Sequence, residues 1–117
     1  MTSSGSARRV LVVDGDDESR SRIARFLSSH GIVVTTTDTW HSAARFLTWQ
    51  KYDAVIIDAK LQGVDGLELA LLIHDQYPAV TIIGTGVGES KDRFMGVGAK
   101  AYLQKPVDLS ELETLLK

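Results

Sequence analysis

Ala54-Val55-Ile56-Ile57 is a run of four residues with no polar atom in any side chain, and it stops at a carboxylate, Asp58. A run this short and partly β-branched predicts a strand buried on both faces. The same form recurs in Val10-Leu11-Val12-Val13, which ends at Asp14, in Ile32-Val33-Val34-Thr35-Thr36, and in Val80-Thr81-Ile82-Ile83. Ala101-Tyr102-Leu103 is a shorter fifth. Between these runs the apolar residues fall at helical spacing: Ile23, Phe26 and Leu27, then Ala43, Ala44, Phe46 and Leu47, then Leu67, Ala70, Leu71 and His74. A weaker helix is expected over about 90–97, and a last one after Asp108. Strands alternating with helices predict an α/β fold, a doubly wound five-stranded parallel sheet with right-handed crossovers and five helices on its two faces.

The punctuation agrees. Gly31, Tyr77-Pro78 and Gly98 stop helices, Gly63 and Asp65-Gly66 are turn signals, and Gly84-Thr85-Gly86-Val87-Gly88 is expected as a mobile loop. Asp16 is placed to cap the first helix, with Asp17 and Glu18 at its positive end. Thr39 or Asp38 starts the second helix, and Asp108-Leu109-Ser110-Glu111 has the form of a capping box with Asp in the lead. Trp40 and Trp49 are read as packing residues rather than a stacking platform, and His30, His41 and His74 as surface or half-buried helix residues.

Several function classes drop out. There is no cysteine among the 117 residues, which removes disulfides, thiolate metal sites and cysteine nucleophiles. A net charge of −2 gives no reason to expect nucleic-acid binding by this segment. No apolar run approaches the ~20 residues that span a bilayer, and residues 1–9 lack the apolar core of a signal peptide. We expect a flexible lead over 1–8, one domain over 9–117, no membrane partner and a cytoplasmic location. The last helix has room for barely two turns before Lys117, the length expected of a piece of a longer protein.

Four residues fall at the carboxyl ends of predicted strands: Asp14, Asp58, Thr85 and Lys105. Parallel strands bring those ends to one edge of the sheet, where open α/β folds bind ligands. Carboxylates there suit a hard cation such as Mg2+. A carboxylate can accept a phosphoryl group as an aspartyl phosphate. A hydroxyl and a lysine would complete a clamp on the phosphoryl oxygens.

With those residues in place the chain resembles the receiver domains of two-component response regulators, which have a flavodoxin-like fold. The resemblance covers 9–117. It rests on Val12-Val13-Asp14, on Tyr52-Asp53 through Asp58 with Gly63-Val64-Asp65-Gly66, on Ile83-Gly84-Thr85-Gly86, on Gly98 to Leu103, and on Lys105-Pro106. It implies that Asp58 is the phosphoacceptor, taking phosphate from a sensor histidine kinase or a phosphotransfer protein. It implies that Asp14, Asp58 and the Lys60 backbone carbonyl belong to the Mg2+ site. Thr85 would be the switch hydroxyl, Tyr102 the switch aromatic that turns inward on phosphorylation, and Lys105 the phosphate-binding lysine. The fourth helix, fifth strand and fifth helix (about 90–117) would form the surface that changes for an output domain or downstream protein, or for a homodimer. Such a domain does at most its own phosphorylation and dephosphorylation, short of a turnover enzyme. Lys105-Pro106 is expected to be cis, which an X-Pro bond tolerates.

The family has two adjacent acidic residues after the first strand, and here the second is Gly15. Losing a charge about 4 Å from a cation forfeits roughly 4 kcal/mol per unit charge at an effective dielectric of 20, less the desolvation saved. Mg2+ should therefore bind weakly unless Asp16 reaches in. Lys60, two residues after the acceptor, stands where the phosphoryl group would be flanked, and Gln62 stands where the family often has proline. Gly15 also supports an alternative, a phosphorylation-independent pseudo-receiver acting as an interaction module. A nucleotide- or flavin-binding domain is disfavoured, because the first loop is acidic and the glycines follow the wrong strand.

Overall fold

The structure is a computed structural model and describes residues 9–62, 64–88 and 90–117. The expected lead over 1–8 and the turn residue Gly63 lie outside the described residues. The elements in order are β1 (Arg9–Val13), α1 (Asp17–Ser29), β2 (Val33–Thr37), α2 (Trp40–Trp49), β3 (Ala54–Asp58), β4 (Lys60–Leu61), β5 (Val64–Asp65), α3 (Gly66–Gln76), β6 (Thr81–Gly86), α4 (Lys91–Gly96), β7 (Ala101–Gln104) and α5 (Leu109–Leu115).

Five strands form one parallel sheet in the order β2-β1-β3-β6-β7. Strand periodicity sorts its side chains into two cores. Val10, Val12, Ala54, Ile56, Ile83 and Leu103 meet Ile23 and Leu27 of α1 and Leu112 of α5. Leu11, Val13, Val55, Ile57, Ile82 and Tyr102 meet Ala43, Leu47, Leu69, Ile73 and Phe94 from α2, α3 and α4. This is the doubly wound arrangement expected. The chain leaves β1 toward β2 and crosses back to β3, so the switch point lies between β1 and β3. Asp14 follows the one and Asp58 ends the other.

The helix starts are set by side-chain caps. Asp16, Thr39, Asp65 and Asp108 accept the backbone N–H groups of Ser19, Ser42, Leu67 and Glu111. Gly31 and Gly98 close α1 and α4 with positive φ of 81° and 94°. The Lys105-Pro106 bond is cis.

Four local expectations need correction. The strand expected to stop at Ile83 runs on to Gly86, so Gly84, Thr85 and Gly86 are sheet residues and only Val87 and Gly88 begin the loop. Asp65-Gly66 is a helix cap and first helical residue rather than a turn. The buried stripe of α3 is Leu69, Ala70 and Ile73, while Leu71 faces outward; His74 is exposed, as expected. Trp49 is 64 % exposed, with the Arg45 guanidinium over its ring, whereas Trp40 packs on the α2 side of the core.

Candidate functional site

The sheet register places Asp58 directly beside Thr85, and both are buried. Asp14 is 1 % exposed and Asp58 is 7 % exposed, at adjoining strand ends. Lys105, just beyond β7, is held there by its backbone N–H, which donates to the Gly86 carbonyl at 2.8 Å. Its ammonium then reaches back across β6 and donates to Asp14 Oδ1 at 3.0 Å and to Asp58 Oδ2 at 2.9 Å. The four residues expected at one edge are together.

Each carboxylate is fixed by further donors. Asp58 Oδ1 accepts the Lys60 backbone N–H at 3.1 Å. Asp14 Oδ1 accepts the Asp16 backbone N–H at 2.9 Å, and Oδ2 accepts the Ser19 hydroxyl at 2.9 Å. Arg20 donates to the Asp14 carbonyl at 2.8 Å. Burial pushes the Asp58 carboxyl above its usual pKa, and neighbouring Asp14 adds to the rise, although Lys105 and the Lys60 N–H pull the other way. Burial alone would depress the Lys105 ammonium, but its bonds to Asp58 and Asp14 and their charges raise it above the usual lysine value. One ammonium shared by two carboxylates is over-supplied with charge, while each carboxylate is under-supplied.

Gly66 fixes the floor of the site. A Cβ there would sit 2.0 Å from the Asp58 carbonyl oxygen, so α3 can start this close to the end of β3 only with glycine. After Asp58 the chain folds into the short antiparallel β4–β5 ladder, which the sequence reading did not foresee. That ladder, Gly15, the β6 end and Arg93 of α4 border an open cavity of about 1060 Å³ over Asp58. Arg93 donates to Asp65 Oδ2 at 2.7 Å across it, and Asp65 is held below the usual carboxylate range by the Leu67 N–H first and, against its burial, by Arg93.

Tyr102 already points inward: it is 8 % exposed, its ring lies 5.6 Å from that of Phe94, and its hydroxyl lies against Gly86. The Tyr102 and Thr85 hydroxyls are both buried without a hydrogen-bond partner among the described residues. Ser19, Arg20 and Arg93 were missed from sequence. Ser19 and Arg20 follow Asp14 by five and six residues, close enough for the first turn of α1 to bring them back over it. For Arg93 no sequence signal existed.

The resemblance implies Mg2+, and the donor set does not fit it. Every carboxylate oxygen of Asp14 and Asp58 already accepts a protein donor. Asp16, exposed at the rim, spends Oδ2 on the α1 cap. Gly15 brings no ligand, and no cluster of three or more His, Asp or Glu able to hold a metal exists among the described residues.

Comparison with known proteins gives a consistent result. The family model for "Response regulator receiver domain" matches residues 10–117. The transcriptional regulatory protein TcrA of Mycobacterium tuberculosis is 33 % identical over 115 residues, 96 % of this chain and 46 % of TcrA. The chain spans about half the length of the curated relatives it matches. The receiver domain of the Francisella response regulator 1452 superposes with a TM-score of 0.85 at 25 % identity, covering 93 % of each chain. A Burkholderia pseudomallei response regulator, crystallised with a phosphorylated aspartic acid, calcium ion and citrate, superposes with a TM-score of 0.86 at 22 % identity, over 94 % of this chain and 66 % of its own.

Proposed function

The chain belongs to the response regulator receiver domain family, and from that premise we propose that Asp58 accepts a phosphoryl group from a phosphohistidine of a partner kinase or phosphotransfer protein. Receiver domains as a class take part in two-component signalling with such partners and with output domains. What supports the assignment to Asp58 is one observation above the others: a buried carboxylate at a strand end, open to a cavity, with a lysine ammonium 2.9 Å from one oxygen and the Thr85 hydroxyl on the adjoining strand.

The chemistry asked of these residues is modest. The Asp58 carboxylate attacks phosphorus, the nitrogen–phosphorus bond of the donor breaks, and its electron pair leaves with the imidazole. Lys105 keeps its proton and stays on the phosphoryl oxygens, a fixed charge in a partly dry site. Thr85 gains the partner its hydroxyl lacks. The rearranged β6 end then biases the surface of α4, β7 and α5 toward a downstream protein, an output domain or a second copy.

A second reading, a phosphorylation-independent interaction module, is supported by Gly15, which takes a carboxylate away from the sheet edge. Intact mass after incubation with acetyl phosphate separates the two. One added phosphoryl group on the parent and none on Asp58→Asn supports the acceptor. No adduct on folded protein under any condition supports the module.

A further inference from the structure

The site combines a gap and an uncommitted charge. The gap is at Gly15: a Cβ there would have the Lys60 carbonyl oxygen, 3.7 Å away, as its nearest neighbour, so the place a metal-ligating side chain would fill is open. The charge is Lys60. Its backbone N–H is tied to Asp58 Oδ1, which keeps its Cα beside Asp58, and it is an exposed residue lining the same cavity as Asp58 and Lys105. Among the described residues the other cations nearby are committed: Lys105 to Asp14 and Asp58, Arg93 to Asp65, and Arg20 to the Asp14 carbonyl and Asp17. Lys60 has no ion pair among the described residues, on a flexible stem of the kind that lets an ammonium follow a moving charge.

We propose that Lys60 is a catalytic residue of this receiver, that with Lys105 it neutralises the transferring phosphoryl group, and that the acceptor reaction therefore needs no divalent cation. The inference rests on Asp58 being the acceptor. With acetyl phosphate as donor, the bond from phosphorus to the acetyl oxygen breaks and that electron pair leaves as acetate. The bond from phosphorus to an Asp58 oxygen forms. The charge of −3 on donor dianion and carboxylate together is conserved in acetate and aspartyl phosphate, and neither lysine gives up a proton.

The test measures adduct formation by intact mass with acetyl phosphate, in EDTA and in Mg2+, on the parent, Lys60→Gln, Lys60→Arg and Gly15→Asp. Mn2+ binding to the parent and to Gly15→Asp is followed by electron paramagnetic resonance. We expect the parent to react equally fast in EDTA and Mg2+. Lys60→Gln should slow about a hundredfold, a loss of the size seen when one transition-state charge donor is removed. Lys60→Arg, which keeps the charge, should retain most of the rate, and Mn2+ should bind Gly15→Asp more tightly than the parent. A parent that reacts in Mg2+ but not in EDTA overturns the proposal and leaves Asp58 as acceptor. An unchanged rate in folded Lys60→Gln overturns the role of Lys60. Absence of adduct from every protein under both conditions overturns the acceptor reading itself.

Discussion

Gly86 lies under the Tyr102 hydroxyl, and a Cβ at that position would stand 2.5 Å from it. Gly84 does the same for the Phe94 and Tyr102 rings, at 2.6 and 2.9 Å. Both read as flexibility in the sequence, and both prove to be room for an aromatic side chain. A glycine in a string of glycines carries no mark of which it will be. Gly86→Ala should drive Tyr102 outward and cost about 1–3 kcal/mol, the usual range for overpacking. Near-ultraviolet circular dichroism and a urea midpoint would register both effects. Burial raises the Asp58 carboxyl, and in the proposed reaction only its carboxylate attacks, so the rate with acetyl phosphate should fall on acidification at a pH above that of an exposed aspartate. The Lys105 shift has the opposite reach. Its folded value is raised, so its contribution to stability is complete below the ordinary lysine value and is lost only as pH climbs through the raised one. Asp14, Asp58, Thr85 and Lys105 were legible because strand ends converge whatever the side-chain detail. The donors that hold Asp14 in place were not, since that depends on how a helix turn folds back.

Among the elements, the helices capped by Asp16, Thr39 and Asp108 were the most readable, because a cap is a local event between residues three or fewer apart. Asp108→Ala removes the bond to Glu111 that starts α5, and it should lower stability by about 1 kcal/mol in thermal unfolding. The β4–β5 ladder was not readable. Two residues on each side leave no periodicity to detect, and its form depends on Gly66 packing on the Asp58 carbonyl. β6 was read too short for a related reason: glycine is a poor strand former by composition, yet here it is required by what lies across the sheet. The Arg93–Asp65 pair joins α4 to the start of α3. The Asp65 shift is downward, so its contribution is present above the ordinary carboxylate value and disappears as pH falls through the lowered one. On a stability–pH curve, Arg93→Ala should therefore lower stability slightly at neutral pH, by the small amount a partly exposed pair contributes, and leave it unchanged in acid, where Asp65 is protonated in both proteins.

The whole molecule is a sheet between two cores, and the two should fail together. Leu27→Ala on one side and Ile73→Ala on the other remove fully buried side chains. Each should cost about 2–5 kcal/mol, with a single transition and an unchanged denaturant slope. The fold class was the safest inference from sequence, because alternation of buried runs and helical spacing admits few topologies. The state of the switch was not legible, since inward and outward positions of Tyr102 satisfy the same pattern. One feature ties the two halves of the molecule across that sheet. Lys105 has three N–H donors, and it divides them between Asp14, which leads into α1, and Asp58. A phosphoryl group adds acceptors on one side of that division only, so Asp14 loses its share. Thermodynamic linkage makes the trade reciprocal: a protein that docks on the α1 end and draws Asp14 away strengthens the hold of Lys105 on phosphorylated Asp58, and phosphorylation tightens that docking by the same factor. On the proposed acceptor role of Asp58, the α1 face would report phosphorylation as well, in counterbalance to the proposed α4 surface.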